Sequence, residues 1–330
     1  MAVEESRRTF LGLSAAVAAA ATASAGQASA TTDPRTAPRA RFWIAALTPV
    51  DSRGAFDNGA NDEMLAYWKG QGADGVLLLG TTGEGQSFSI AERKKVLEAA
   101  SRDKHGLDFI VATGTPNAPD TVDLTRHAAD HGADSVLIVP PFYDKAPKAQ
   151  GVIAYFDKVF SQVSTPIRYY HIPRITGVPV DVSVFKALTQ YPNFVGVKDS
   201  NGDPAEFEAI TAALPGLNVA TGTDNNLEAT LRHGNGCILA SGNFYTKQVA
   251  AAFEAHRAGQ DVKPALQRLA DAQAAVHTAT GGIAGEAVSK YTLALMLGRR
   301  DAYVRPPSAP LADEHKPKIE AAVAALKAYA

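Results

Sequence analysis

A closed (β/α)₈ TIM barrel followed by a C-terminal helical extension is the fold that this 330-residue sequence predicts. Short apolar runs alternate with longer helical ones from Arg41 onward, and the connections between them are short. The competing architecture, an open doubly wound sheet, would carry a glycine-rich dinucleotide fingerprint after its first strand, and none is present there. The apolar run Phe194-Val-Gly-Val ends on Lys198, and other polar residues close the remaining runs, which is where barrels of this class place their chemistry.

In chain order, Phe42 to Thr48 reads as the first strand and Asn61 to Gly72 as its helix. Val76 to Leu79 is the second strand, closed by Gly80-Thr-Thr-Gly-Glu84. Ser89-Ile-Ala-Glu92 has the form of a capping box, in which serine and glutamate satisfy each other's free N–H groups at a helix start. Phe109 to Ala112 and Ser135 to Val139 are the third and fourth strands, with a helix from Pro119 to His131 between them. A helix from about Gln150 to Val163 leads to the fifth strand, Ile167 to Ile172, and another from Val182 to Gln190 leads to the strand that ends at Lys198. Leu217 to Ala220 is the seventh strand, followed by a helix to His233, and Cys237 to Ala240 is the eighth. This places the barrel at 41–260 and the strandless extension at 261–330.

With 46% hydrophobic and 20% charged residues, the chain can bury a full core. A formal net charge of −2 gives no support for a nucleic-acid partner. One cysteine, Cys237, excludes an intramolecular disulfide and any cysteine-rich metal site; its apolar surroundings suit a small buried hydrophobe. Before Arg41 the order of segments is that of an export signal. Ser6-Arg-Arg-Thr-Phe-Leu11 is a twin-arginine signature, an alanine-rich stretch follows, and Ala28-Ser-Ala30 offers a cleavage site. Residues 1–30 are therefore expected to be a twin-arginine signal and 31–40 a linker, which makes the mature protein periplasmic or secreted and the twin-arginine export machinery a partner of the precursor. The plainer alternative is an alanine-rich tail that happens to contain two arginines. No later stretch reaches the roughly 18 apolar residues of a spanning helix, so no membrane partner is expected.

Lys198 is the residue with the clearest chemistry. A lysine desolvated at the end of a buried strand loses preference for its charged form, so its neutral amine can attack a carbonyl and form a Schiff base. The structural alternative is an ion pair with Asp199 or with a nearby carboxylate at a strand end. The other strand-end residues include hydroxyls and tyrosines but no set of metal ligands, and Ser241 has no histidine partner that would make a triad. His171 is a lone imidazole, more often a hydrogen-bonded wall residue. One amine among tyrosines and hydroxyls suits imine chemistry on a carbonyl compound.

Three motifs, Gly80-Thr-Thr-Gly-Glu84, Tyr170-His-Ile-Pro-Arg-Ile-Thr-Gly177 and Gly196-Val-Lys-Asp-Ser200, together resemble the dihydrodipicolinate synthase and N-acetylneuraminate lyase family of pyruvate-dependent class I aldolases. The resemblance runs from about Arg41 to Arg305-Pro-Pro and implies the same barrel. It places Lys198 at the Schiff-base lysine and Tyr170 at the proton-relaying tyrosine. Thr81 and Thr82 fall on the pair that holds the pyruvate carboxylate, where backbone amides after a strand make an anion-binding nest. Tyr143 aligns with a tyrosine that in many members enters a neighbouring subunit's site, which implies a homo-oligomer, a dimer or tetramer; its alternative is an aromatic cover over the chain's own barrel mouth. No cofactor beyond the covalent imine and no metal is implied.

The departures from the family bear on the substrate. Ile175 occupies the position of the arginine that binds aspartate semialdehyde in the synthase branch, with Arg174 one place early. An offset of one residue at a strand end points the side chain elsewhere. The wording of the tyrosine motif is closer to the lyase branch, where Gly222, Asp224, Ser241 and Ser200 fall on positions that hold sugar-derived hydroxyls. Asn225 replaces an acidic residue of sialic acid lyases, and an amide is no charged acceptor. The expected activity is an exported lyase making or breaking a C–C bond between pyruvate and an aldehyde, on a 2-oxo acid or deoxy sugar acid. A dehydratase, a hydratase-aldolase or a synthase-like condensation on the same lysine, and a non-catalytic binder of 2-oxo acids, remain alternatives.

Overall fold

The computed structural model describes residues 40–329. The expected signal and all but the last residue of the expected linker lie outside the described residues. Eight parallel strands close into a barrel in chain order. The sequence of elements is β1 (Phe42–Ala45), α1 (Asn58–Gly70), β2 (Gly75–Leu78), α2 (Ile90–Ala100), β3 (Asp108–Ala112), α3 (Ala118–Asp130), β4 (Ser135–Ile138), α4 (Ala149–Phe160) and β5 (Ile167–His171). After it come a helical turn, α5 (Pro173–Thr176), then α6 (Val182–Leu188), β6 (Phe194–Asp199), α7 (Pro204–Ala213), β7 (Asn218–Thr221), α8 (Leu227–Arg232), β8 (Cys237–Leu239) and α9 (Thr246–Arg257). The extension adds α10 (Lys263–Thr280), α11 (Glu286–Met296) and α12 (Lys316–Leu326), with α10 against both α9 and α12. No helix among the described residues is long and apolar enough to cross a membrane.

Local chemistry accounts for most helix starts. The expected capping box is present: Glu92 N–H donates to Ser89 Oγ at 3.3 Å, and Ser89 N–H donates to Glu92 Oε2 at 2.8 Å. Three helices lie beyond the elements named from the sequence: α5, α7 and α9. α7 begins where Asp203 accepts a hydrogen bond from Ala205 N–H at 2.8 Å and Pro204 takes the first helical position. α5 is a single turn closed by Gly177.

Side chains on the strands divide into two layers. Phe42, Ile44, Val76, Phe109, Val136, Tyr169, Val197 and Leu239 face the helices, while Trp43, Leu77, Ile110, Leu137, Tyr170, Ala220 and Ile238 fill the barrel. β6 breaks the alternation once. Ile167 pairs with Phe194 but Arg168 pairs with Gly196, so Val195 is an extra residue, a β-bulge. Phe194 and Val197 consequently both face outward although three positions separate them. In a regular strand Lys198, four residues after Phe194, would face outward as well. The bulge turns it inward, beside Tyr170 and Ala220. Gly196 makes this possible: its φ is +155°, and a Cβ there would lie 1.9 Å from the Asn218 carbonyl oxygen.

The extension is tied to the barrel by a buried ion pair. Lys290 of α11 (5% side-chain exposure) contacts Glu84 (3%), which ends the second-strand loop. Burial lowers the Lys290 pKa, and the Glu84 hydrogen bond and charge oppose the shift. Arg305 N–H also donates to Glu84 Oε1 at 2.9 Å, and Lys290 Nζ donates to the Tyr303 carbonyl at 3.0 Å.

Two outcomes follow for stability. Gly196→Ala is expected to lower the unfolding free energy by about 3 kcal/mol or more, because steric overlap adds to backbone strain; a urea midpoint equal to that of the parent chain would contradict the bulge as described. Lys290→Met strands a buried carboxylate and is expected to cost about 3–5 kcal/mol. Adding Glu84→Gln should recover part of that loss in the same measurement, since no buried charge then remains.

Candidate active site

Tyr170 and Lys198 are register partners on β5 and β6 and both point into the barrel. Lys198 Nζ donates to Tyr170 Oη at 3.4 Å and lies 4.4 Å from the ring centroid. Lys198 is 4% exposed and Tyr170 5%. Burial raises the Tyr170 pKa, but the Lys198 charge and hydrogen bonds with Thr81, Ser200 and Lys198 outweigh it, leaving the phenol below its ordinary value. The ion pair with Asp199 is excluded by geometry. Asp199 is the next residue on the strand and faces outward beside His171, its carboxylate accepting from Asn201 N–H at 3.1 Å. His171 is the hydrogen-bonded wall residue that its solitary position suggested, with Nε2 2.7 Å from Glu206 of α7.

The loop after β2 brings Thr81 to this pair. Its turn is closed by Glu84 N–H to Thr81 O at 3.0 Å and Gly85 N–H to Gly80 O at 3.1 Å, so the Thr81 and Thr82 N–H groups stand outside the turn's own bonds. Leu79 (φ +56°) and Glu84 (φ +52°) both hold left-handed backbone conformations, strain that the Lys290 and Arg305 contacts to Glu84 counter. Thr82, half-buried, is adjacent but does not line the cavity described below.

On the other side of Lys198, Ser200 and Gly222 pack tightly. A Cβ on Gly222 would lie 1.9 Å from Ser200 Oγ and 2.9 Å from Lys198 Cε, so Gly222 is the clearance that admits both side chains. Asp224 and Ser241 are joined to each other, Ser241 Oγ donating to Asp224 Oδ1 at 2.6 Å. Burial raises the Asp224 pKa, against hydrogen bonds from Ser241 and Gln273. Asn225 is exposed. The structure therefore brings Lys198, Tyr170, Thr81, Ser200 and Gly222 into one cluster and makes Asp224 and Ser241 a separate bonded pair.

A cavity of about 260 Å³ opens above Tyr170 and is lined by Thr81, Leu137, Val139, Phe142, Ile172 and Ile175 among others. A second, of about 280 Å³, is bordered by Pro49, Met64, Leu297 and Tyr303 and contains none of the predicted site residues. Tyr143 is 86% exposed, and it is Phe142 that faces the chain's own cavity, so Tyr143 is not a cover over this barrel mouth. Ile175 reaches the cavity and Arg174 does not. The reason differs from the strand-end argument: both residues lie on the helical turn α5, where one position is about a 100° rotation.

Sequence reasoning missed Gln86, Ser87, Glu286 and Ser308, which also line the cavity. Gln86 and Ser87 directly follow the Gly80–Glu84 motif and could have been included. Glu286 and Ser308 come from the extension and carried no local signal. Among the described residues, the groups able to hold a metal ion are Glu98–His127–His131 and Asp62–Asp103–His105, and neither includes a predicted site residue. The central cluster can do one kind of chemistry well: a buried amine faces a carbonyl carbon, with a phenol of lowered pKa at hydrogen-bond distance to move protons.

Comparison with known proteins gives the family. Residues 39–326 match the model of the dihydrodipicolinate synthetase family. A DapA-like lyase of Chloroflexus aurantiacus is 37% identical over 231 residues, 68% of this chain and 77% of that protein. The 4-hydroxy-tetrahydrodipicolinate synthase of Acidiphilium cryptum is 31% identical over 86% of this chain and 97% of its own. Among solved structures, YagE, a prophage protein of E. coli K12 in complex with pyruvate, superposes with a TM-score of 0.78 at 25% identity, covering 87% of this chain and 98% of that one. The chain belongs to the dihydrodipicolinate synthetase family, lyases of the class I aldolase type that work through a lysine–pyruvate imine without an external cofactor.

Proposed function

We propose that this chain is an exported aldolase that cleaves or forms the C–C bond between pyruvate and an aldehyde, with Lys198 as the imine-forming lysine. The observation that carries the reading is the buried Lys198 Nζ at 3.4 Å from Tyr170 Oη. Lys198 Nζ attacks C2 of the 2-oxo acid, water leaves, and the protonated imine becomes the electron sink. Tyr170, as phenolate, takes the proton of the C4 hydroxyl while the C3–C4 bond breaks. An aldehyde departs, and the enamine left on Lys198 is protonated at C3 and hydrolysed to pyruvate. Thr81 and Thr82 receive the pyruvate carboxylate on their N–H groups, which fixes the reacting atoms before the step begins. Ser200 holds the Tyr170 hydroxyl from the other side.

Condensation with aspartate semialdehyde, the synthase-branch reaction, has less support, because Ile175 and no arginine meets the cavity. The exposed Tyr143 fits a homo-oligomer in which it enters a second copy's site. Export rests on the twin-arginine signature at Arg7 and Arg8.

Borohydride reduction in the presence of pyruvate is expected to leave a pyruvyl adduct on the Lys198 peptide, read by mass spectrometry, and Lys198→Ala to abolish both adduct and turnover. An adduct on another lysine would overturn the mechanism. Tyr170→Phe should lower kcat by about 10²–10⁴-fold while the chain stays folded. Replacing Arg7 and Arg8 by lysines is expected to retain the precursor in the cytoplasm; unchanged export on cell fractionation would remove the twin-arginine reading.

A further inference from the structure

We propose that the aldehyde partner is uncharged, with a compact apolar body and a hydroxyl group that Glu286 accepts, and that it is neither a carboxylated aldehyde nor an open sugar chain. This rests on the imine reading and concerns what the cavity above Tyr170 holds. That cavity is walled mainly by Leu137, Val139, Phe142, Ile172 and Ile175, and no lysine, arginine or histidine lines it. Its charged residues are Glu84 and Glu286. Glu84 is neutralised by Lys290. No ion pair engages Glu286 among the described residues, and its half-buried carboxylate stands at the start of α11 on the cavity wall. A second carboxylate entering with the aldehyde would meet a like charge across an apolar space, where screening is weak.

A polyhydroxylated chain is poorly served for a different reason. Of the polar side chains on the wall, Gln86 donates to the Gly114 carbonyl at 3.3 Å, Thr176 Oγ1 donates to the Ile172 carbonyl at 3.1 Å, and Thr81 is engaged with Tyr170. Asp224 and Ser241, the pair that the lyase-branch resemblance offered for sugar hydroxyls, lie off this cavity and are bonded to each other. The wall side chains that keep uncommitted polar atoms are Gln86, Ser87, Ser308 and Glu286, to which a second copy's Tyr143 would add one hydroxyl, and the rest of the wall is apolar, which favours a body with few hydroxyls. Burying unpartnered hydroxyls against apolar walls would cost binding.

The test uses the full chain loaded with pyruvate and three probes, 3-hydroxybenzaldehyde, succinic semialdehyde and D-arabinose, with unsubstituted benzaldehyde as the reference. Consumption of pyruvate and the mass of the product are followed. We expect kcat/KM for 3-hydroxybenzaldehyde to exceed the other two by at least about tenfold. Glu286→Gln should raise KM for 3-hydroxybenzaldehyde several-fold more than it changes KM for unsubstituted benzaldehyde, a split that a merely structural role would not produce. Glu286→Arg should raise kcat/KM for succinic semialdehyde. Equal or better use of succinic semialdehyde or arabinose by the parent chain overturns the proposal, as does a Glu286→Arg variant with unchanged preference. If borohydride traps the pyruvyl adduct on Lys198 but none of the three probes discharges it, the aldehyde class is wrong and the imine reading stands. If no adduct forms, the imine reading fails first.

Discussion

The parity of β6 is the constraint on which the rest of the site depends. A strand sends alternate side chains to opposite faces, so one extra residue exchanges every later position between core and helix layer. Val195 is that residue, and Gly196 absorbs the distortion at a φ of +155° where the Asn218 carbonyl leaves no room for a Cβ. Downstream, Lys198 faces the interior, Asp199 faces His171, and Ser200 returns to the site to meet Tyr170 and Gly222. Without the bulge the lysine would enter the packed layer that holds Phe185 and Phe194, where no Tyr170 awaits it. Strand alternation keeps the amine away from the carboxylate beside it in sequence, and the bulge decides that it is the amine that faces the phenol.

A second dependence runs between the barrel and its extension. The loop that carries Thr81 and Thr82 contains two non-glycine residues in left-handed conformations, and such strain persists only where surrounding contacts over-determine it. Glu84 supplies those contacts, through Lys290 on α11 and the backbone of Arg305. A buried ion pair is seldom a net source of stability, because desolvating both charges offsets much of their attraction. Its value here is positional: it allows one arrangement of the loop against α11. Arg305 extends the clasp, its guanidinium bonded to Glu92 at 3.0 Å and lying 4.2 Å from the Phe88 ring centroid. The extension is thus part of the machinery that shapes the site.

Much of this was legible in the sequence. The β/α alternation specified the barrel because each apolar run is too short for a helix and each intervening stretch is of helical length. Lys198 stood out because a lysine closing a valine-rich strand is chemically odd. The missed helix α7 had a start signal in Asp203-Pro204. Gly196 inside a strand was itself a bulge signal, and reading it would have shown why the lysine faces inward. Lys290 and Glu286 could not be found this way. Both lie on α11, and helical periodicity shows which face is buried without showing what lies opposite it some two hundred residues earlier. The resemblance likewise located Asp224 and Ser241 without revealing that they bond to one another.

That last pairing divides the barrel mouth. On the β7 and β8 side, Asp224, Ser241 and Gln273 form a bonded group, and Gly222 brings the backbone hard against Ser200 and Lys198. On the side of β3 to β5 the mouth is open, apolar and bounded by α5 and the start of α11. Tyr170 stands between the two, with its hydroxyl on Lys198 and its flank on the cavity. A 2-oxo acid held at Thr81 and joined to Lys198 would meet apolar space on the β3 to β5 side, while Ser241 borders a separate cavity of about 310 Å³ lined by residues of the extension. On the proposed reading, the polarity met beyond C3 is that of β4, β5, α5 and α11, and the hydroxyl-bearing residues after β7 and β8 act on the lysine's surroundings.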